Sequence, residues 1–75
     1  MVVELNNRSK TIVDLKDVQE CIPEVSGGIR HQFYWINFYF KSGSTLTVSY
    51  ADKEEYCFSD AEFMNEVISA LKPSK

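Results

Sequence analysis

The sequence is poor in the residues from which small reactive or cross-linked proteins are built. It holds two cysteines, Cys21 and Cys57, and one histidine, His31, among 75 residues. They lack the close ligand spacing of a structural zinc site, so we predict no metal site. Two cysteines are too few for a disulfide scaffold and are interpreted as thiols. A core of this size is commonly supplemented by disulfides, metals or self-association, which favours a homodimer.

Long hydrophobic runs are also absent. No stretch approaches the length of about 18 apolar residues that a membrane-spanning helix needs. The first residues, Met1–Asn7, contain neither the basic segment nor the apolar segment of a secretion signal. We therefore expect a cytoplasmic protein that makes no membrane contact.

An excess of positive charge is missing as well. The chain has 8 basic and 11 acidic residues, which gives a net charge of −3. A protein that binds by neutralising phosphates is usually basic, so nucleic acid is a disfavoured partner. The hydrophobic share of 44% is nevertheless that of an ordinary globular protein. We predict one folded domain that spans residues 1–75.

The sequence also lacks the combination of residues that catalysis requires. A nucleophile, a base and an orienting group must meet, and His31 is the only histidine. Neither cysteine lies in a local signature of thiol enzymes. The pair Gly27-Gly28 is not followed by the lysine and helix of a phosphate-binding loop, so we interpret it as a chain reversal. We predict that the protein is not an enzyme and binds no cofactor.

The clearest structural signal is a β-hairpin. Residues Gln32–Lys41 are mostly aromatic or β-branched, and Thr45–Tyr50 alternate strictly between polar and apolar. A three-residue loop at Ser42-Gly43-Ser44 would connect the two strands. The predicted register places Phe40 opposite Leu46, Phe38 opposite Val48 and Ile36 opposite Tyr50.

The C-terminal segment has the pattern of an amphipathic helix. Ser59-Asp60-Ala61-Glu62 matches a capping box, which predicts that the helix begins there. Lys72 and Pro73 are typical of a helix end. The polar side would carry Asn65 among others. The predicted buried stripe consists of Phe63, Met64, Val67, Ile68 and Leu71.

Short strands are predicted in the N-terminal third. They cover Val2–Leu5, Lys10–Leu15 and Val18–Ile22, with Pro23 as the end of the third. Tyr56–Phe58 reads as a last short strand, and a helical turn over Asp17–Cys21 competes with the third. The sum is an α+β fold: a curved antiparallel sheet of about five strands packed against one C-terminal helix. Its architecture resembles a reduced pleckstrin-homology-type half barrel.

One strand carries more aromatic residues than a small core requires. If the even positions from Tyr34 to Phe40 face the helix, the period of two places the odd positions on the opposite face. Two alternatives stay open: that face binds a partner, or N-terminal residues such as Leu5 and Val13 cover it. The candidate partner-binding residues are Phe33, Trp35, Asn37 and Tyr39.

These patterns favour a non-enzymatic interaction module. It would bind another protein or itself as an adaptor, inhibitor or accessory subunit, a class that includes small proteins carried by phage and mobile elements. The alternative is a single-stranded nucleic-acid-binding protein that stacks bases on the same aromatics. Arg30 and Lys41 flank the strand and would then contact phosphates.

Overall fold

The computed structural model describes residues 1–71. The α+β class is confirmed, with five antiparallel strands and a C-terminal helix. The strands form two sheets, β1-β2 and β3-β4-β5, rather than the single predicted sheet, and they do not close a barrel. The elements are β1 (Val2–Glu4), β2 (Ile12–Asp14), a 3₁₀ turn (Leu15–Asp17), β3 (Val18–Gly27), β4 (Gln32–Phe40), β5 (Thr45–Ala51) and α1 (Glu54–Leu71).

The predicted β4–β5 hairpin is present, but its predicted register was wrong by two residues. The Phe40 amide donates to the Ser44 carbonyl and the Gly43 amide donates to the Phe40 carbonyl, each at 2.9 Å. The loop is therefore Lys41-Ser42-Gly43, with Gly43 in the left-handed conformation at φ 95°. Phe38 faces Leu46 and Ile36 faces Val48. A shift of two preserves which side chains share a face, so the predicted faces are correct.

The prediction that Pro23 ends β3 was wrong. The strand continues to Gly27 and pairs with β4 beyond the proline, with Glu24 opposite Trp35. Because β3 is an edge strand, alternate residues direct their main-chain groups away from β4. The Cys21 main chain points that way, toward Asn65 on α1. Pro23 has the same parity as Cys21, so its missing N–H costs the sheet no hydrogen bond.

The helix begins earlier than the capping box indicated. The Cys57 amide donates to the Lys53 carbonyl at 3.0 Å, which is the first helical bond of α1. Two acidic residues in the first turn, Glu54 and Glu55, suit the positive end of the helix dipole. Tyr56–Phe58 is therefore helical, and the predicted strand there was wrong. Ser59 lies inside the helix with an exposed side chain and caps nothing.

The buried side of α1 differs in part from the predicted stripe. Met64 and Ile68 are buried, but Phe63 and Leu71 are exposed. Because α1 begins earlier, its buried stripe also includes Cys57. Asp60 and Ala61, which lie within the predicted helix but outside the predicted stripe, are buried as well. Asn65, predicted to face solvent, is half-buried against β3. The predicted helix end at Lys72 and Pro73 lies outside the described residues.

One hydrophobic core lies between the helix and the two sheets. Leu5 and Val13 from the N-terminal hairpin join this core beside Ile36 and Phe38. They therefore do not cover the opposite face of β4, and that alternative is wrong. The buried core residues are Leu5, Val13, Leu15, Val18, Cys21, Tyr34, Ile36, Phe38, Val48, Tyr50, Cys57, Ala61, Met64 and Ile68.

A buried carboxylate holds the N-terminal loop, β5 and α1 together. Asp60 accepts hydrogen bonds from the Asn6 main-chain amide at 2.8 Å and the Asn6 side-chain amide at 2.7 Å. It also accepts a hydrogen bond from the Tyr50 hydroxyl at 2.6 Å. Burial, together with this bond, raises the pKa of Tyr50.

Within residues 1–71, no helix is long and apolar enough to cross a membrane.

Candidate functional site

The four predicted site residues share one face of β4. Tyr34, Ile36 and Phe38 are buried beneath the helix, so the alternation turns the odd positions outward. Residues of β3 and β5 extend that surface on both sides through the pairings of the sheet. We call this surface the open face. It consists of Glu20, Ile22, Glu24 and Ser26 from β3, Phe33, Trp35, Asn37 and Tyr39 from β4, and Thr45, Thr47 and Ser49 from β5.

The apolar side chains of the open face are accessible. Phe33 is 51% exposed and Ile22 is 39% exposed. Trp35 and Tyr39 are half-buried, although the helix and the N-terminal hairpin contribute their buried side chains to the core on the other side of the sheet. Their partial burial is therefore consistent with packing against cross-strand neighbours. The face therefore presents accessible aromatic side chains that are packed against their neighbours in the sheet.

A polar network crosses the centre of the open face. The Trp35 indole nitrogen Nε1 donates to Glu24 Oε2 at 3.0 Å, and Asn37 Nδ2 donates to the same oxygen at 2.6 Å. The Thr47 hydroxyl then donates to Asn37 Oδ1 at 2.6 Å. These bonds join all three strands. They fix how Trp35 and Asn37 are oriented.

Glu24 is a site residue that the sequence prediction missed. Pro23 is typical of a strand end, so the predicted strand stops before Glu24. The signal that could have identified it is the alternation Glu20, Ile22, Glu24, which has the period of a strand on both sides of the proline.

The open face is acidic. Glu20 and Glu24 contribute two carboxylates, and its other members are uncharged. Arg30 lies in the β3–β4 loop and Lys41 in the β4–β5 loop, at opposite ends of β4. The two basic residues that the nucleic-acid alternative requires are therefore not on the face itself. The face favours a neutral or basic partner surface.

His31 lies far from Cys21, so the histidine and this thiol cannot act together. Cys21 and Cys57 are buried, and burial raises the pKa of each thiol to about 11. His31 is exposed in the β3–β4 loop, whereas Cys21 pairs with Phe38 farther along β4. At the rise of a β-strand this separation is roughly 20 Å. Across residues 1–71, no three metal-ligating side chains are grouped as a metal site would need.

The end of the β3–β4 hairpin extends beyond the core. Every residue from 24 to 33 is exposed, and Ile29 at the tip is fully so. The molecule measures 46 × 21 × 18 Å, which is long for its size. Phe33 lies at the base of this arm, where its ring is 6.1 Å from that of His31. The open face thus continues onto a projecting arm.

Comparisons with known proteins add nothing to this geometry. No protein-family model matches the chain, and no curated protein or solved structure matches it either. The open face must therefore be interpreted from its own residues.

Proposed function

We propose that this protein is a non-enzymatic protein-binding module whose open face contacts another protein or a second copy of itself. The observation that carries the proposal is an uncovered sheet face that presents Phe33, Trp35 and Tyr39 within a polar frame. Aromatic residues are enriched at protein interfaces, and an exposed apolar patch usually marks a contact surface.

The network around Glu24 supports this proposal. Trp35 and Asn37 are held in place before any partner arrives, because both donate to the same carboxylate oxygen. Binding then costs less side-chain entropy than it would for freely rotating groups. A tryptophan at the centre of a face is also the residue type in which binding energy concentrates. We therefore assign Trp35 the largest share of the contact.

A single-stranded nucleic acid is the less favoured ligand. The aromatic residues could stack bases, but Glu20 and Glu24 would then lie close to phosphates and repel them. The two ligand classes differ in their response to salt. Binding to a single-stranded oligonucleotide that collapses between low and moderate salt would favour nucleic acid, and salt-indifferent binding to a protein would favour the module.

The remaining parts of the proposal concern setting and role. The buried thiols, with a pKa of about 11, are protonated at neutral pH and out of reach of a substrate, which supports a role without catalysis or cofactor. We place the protein in the cytoplasm as an adaptor, inhibitor or accessory subunit, of the kind that phage and mobile elements carry. We also propose that its two sheets and helix are a reduced half barrel of the pleckstrin-homology type.

The first test compares two phenylalanines that differ in location but not in exposure. Phe33 on the open face is 51% exposed and Phe63 on the helix is 48% exposed. The solution mass of the wild type, Phe33→Ala, Trp35→Ala and Phe63→Ala is measured by size exclusion with light scattering. A wild-type dimer that becomes a folded monomer in the first two variants, but not in Phe63→Ala, supports self-association through the open face.

A monomeric wild type leads to the second test. The four proteins are then used as baits in the lysate of a host that produces the protein. A protein retained by the wild type and by Phe63→Ala, but lost by Phe33→Ala and Trp35→Ala, supports a foreign partner. Identical captures by all four baits, together with a monomeric wild type, would contradict the proposed function.

A further inference from the structure

A hollow with basic walls lies where the loop after β1 meets the start of α1. Its volume is about 370 Å³, and sites for small molecules measure about 300–1,000 Å³. Among residues 1–71, no acidic residue lines this hollow. We call it the basic pocket. Its lining consists of Asn6, Asn7, Arg8, Lys10, Lys53 and Tyr56.

The charge of the basic pocket is opposite to that of the whole chain. The chain has a net charge of −3, yet Arg8, Lys10 and Lys53 all line this one hollow. Within residues 1–71 the one ion pair joins the N-terminal ammonium to Asp14, so none involves a cation of the pocket. The Lys53 ammonium lies 5.8 Å from the centre of the Tyr56 ring, which is also part of the lining. Three cations therefore remain available to one anionic ligand.

Carboxylates at the start of α1 line a neighbouring hollow instead. That hollow shares Lys53 and Tyr56 with the basic pocket and adds three acidic residues, Asp52, Glu54 and Glu55. Lys53 therefore lies between anionic and cationic surroundings, whereas the two cations of the loop line no part of the neighbouring hollow. We expect the loop to supply most of the attraction for an anion.

Asn7 closes this loop and ties it to β5. Its side-chain oxygen accepts the Thr11 amide at 2.9 Å, and its main-chain carbonyl accepts the Lys10 amide at 3.2 Å. Its Nδ2 donates to the Thr11 hydroxyl at 2.8 Å and to the Ser49 carbonyl at 3.4 Å. The loop therefore has a fixed shape in the absence of any ligand.

The buried polar residues of the fold are concentrated on this loop. Within residues 1–71, Asn7 and Asp60 are the two polar or charged residues that are buried. Asp60 accepts both amides of Asn6, so it holds the loop against α1 as Asn7 holds it against β5. A binding site whose walls are fixed beforehand loses less entropy when a ligand arrives.

Lys10 occupies a position that suits a smaller residue. Its φ is 53°, in the left-handed region that glycine and asparagine adopt at lower cost. The turn itself therefore gives no reason for a lysine at this position. A cationic side chain that lines the basic pocket gives one.

We propose that the basic pocket binds a phosphate group. The cations are Arg8 and Lys10 from the loop and Lys53 from the start of α1. Tyr56, which is 48% exposed, offers a ring to an organic group attached to the phosphate. The ligand is thus inorganic phosphate or a small phosphate ester.

Phosphate matches the pocket better than a carboxylate does. A phosphate ester carries a charge of about −1.5 to −2 at neutral pH and three acceptor oxygens, so it can contact several cations at once. Arg8 can donate two parallel hydrogen bonds to one phosphate, and a lysine beside it acts as a point charge. A carboxylate has one charge and two oxygens, so it would leave part of the positive charge of the pocket unpaired.

The test is a titration of the isotope-labelled full chain with sodium phosphate, followed by nuclear magnetic resonance at constant pH and ionic strength. We expect saturable shifts of the amides in residues 6–10 and 53–56. The amide of Arg30, at the far end of the β3–β4 arm, should not shift. Trp35→Ala should bind phosphate as the wild type does, because the basic pocket shares no lining residue with the open face. The inference therefore does not depend on the proposed function.

Charge-matched variants separate the pocket from the general charge of the protein. Arg8→Gln and Lys10→Gln should each weaken phosphate binding by about threefold to tenfold, since each removes a charge-assisted contact. Lys53→Gln should have a smaller effect because acidic residues lie beside it. The controls Arg30→Gln and Lys16→Gln remove the same charge outside the pocket and should change the affinity by less than about 1.5-fold, since distant exposed charges are screened.

Lys10→Gly distinguishes a binding role from a structural one. Glycine adopts the left-handed conformation without steric cost, so the melting temperature should not fall. Phosphate binding should weaken as much as in Lys10→Gln. Wild-type affinity in both variants would remove Lys10 from the site.

Phenyl phosphate distinguishes the two sources of the phosphate group. If the ligand is an ester, phenyl phosphate should bind at least about threefold more tightly than inorganic phosphate, from the contact of its ring with Tyr56. Tyr56→Ala should remove this advantage and leave binding of inorganic phosphate unchanged. Equal affinities of the two probes would assign the pocket to free phosphate.

Two results would overturn the inference. One is a titration in which the shifts stay linear and are as large at Arg30 and Lys16 as in the pocket, which would show only general ionic screening. The other is a loss of affinity in Arg30→Gln or Lys16→Gln that equals the loss in Arg8→Gln.

Discussion

The two edge strands of the three-stranded sheet differ in whether their outward main-chain groups have hydrogen-bond partners. Along β3, Asn65 bonds both main-chain groups of Cys21, and Pro23 supplies no N–H at the next outward position. Along β5, the Phe40 amide bonds to the Ser44 carbonyl, so the alternation of an antiparallel pair directs the main chains of Leu46 and Val48 toward β4. Those of Thr45 and Thr47 point outward, and no hydrogen bond within residues 1–71 engages them. We refer to these as the closed edge and the open edge.

The difference matters because an unprotected edge invites pairing with other chains. Proteins usually protect such edges with proline, lysine, bulges or a covering element. The closed edge uses proline and a covering helix, but β5 contains neither proline nor a charged residue between Thr45 and Ala51. Along β5 such protection is confined to its C-terminal end, where the pairing register shifts between Ser49 and Ala51 and Asn7 Nδ2 donates to the Ser49 carbonyl at 3.4 Å. The open edge is therefore limited to Thr45 and Thr47.

The strongest test of the contrast places proline at two successive positions of β5. Leu46→Pro removes an amide that points inward to β4 and leaves a β4 carbonyl without its partner. We expect a loss of about 3 kcal/mol in the free energy of unfolding, from the lost bond, the strained backbone and the reduced packing. Urea denaturation followed by circular dichroism measures it.

Thr47→Pro is the matched control. Its amide points outward, so the ladder between β4 and β5 is kept. The substitution removes the hydroxyl bond to Asn37 and restrains the backbone, for an expected loss of about 1 kcal/mol. If Thr47→Pro were the more damaging of the two, the outward-facing positions of β5 would be Leu46 and Val48 instead.

The next largest effect concerns the closed edge. Asn65→Ala removes the acceptor of the Cys21 amide, at 3.1 Å, and the donor to the Cys21 carbonyl, at 2.8 Å. Leaving two partly buried main-chain groups without partners should cost about 2 kcal/mol. Glu66→Ala, at the neighbouring exposed position of α1, should change the unfolding free energy by less than about 0.5 kcal/mol. Equal effects of the two variants would show that Asn65 does not hold this edge.

Alkaline pH tests how tightly the structure encloses its thiols. Cys21 on the closed edge and Cys57 beneath the sheet each have a pKa raised by burial from 9.0 to about 11. A raised pKa means that the folded protein keeps protons which the unfolded chain releases. The stabilisation is therefore complete below pH 9 and is lost as the pH rises toward 11, by about 1–2 kcal/mol for each thiol.

The measurement is the urea midpoint across that pH range. Ionisation of Tyr50, whose pKa is also raised, acts in the same direction at the alkaline end. Cys21→Ala isolates one thiol, because its midpoint should fall less steeply than that of the wild type. Identical pH profiles for the two proteins would mean that the Cys21 thiol is as accessible folded as unfolded.

Local periodicity made the sheet and its faces predictable. The alternation in β4 and β5 assigned Phe33, Trp35, Asn37 and Tyr39 to one face, and that assignment survives a register error. Both candidate loops contain Gly43, but only Lys41-Ser42-Gly43 places it third, where a left-handed residue is required. The sequence therefore contained the information for the correct register.

The wrong predictions of the helix start and of the end of β3 have a common cause, because both features depend on tertiary contacts that no local pattern shows. Ser59-Asp60-Ala61-Glu62 satisfies the capping pattern, yet in the fold the Asp60 carboxylate is buried and accepts hydrogen bonds from Tyr50 and Asn6. Pro23 acts as a strand end only if its nitrogen faces the neighbouring strand, and this depends on the pairing with β4.

The smallest expected effect comes from Pro23→Ala, and it bears on the closed edge alone. The new amide at position 23 points to solvent and gains no partner, so the folded state should neither gain nor lose a hydrogen bond. Removing proline frees the unfolded chain, which should lower the unfolding free energy by about 0.5 kcal/mol. Hydrogen exchange at position 23 should be as fast as at an unprotected amide. Slow exchange there would mean that position 23 faces β4, which would reverse the parity of β3 and make Asn65 bond an inward-facing group.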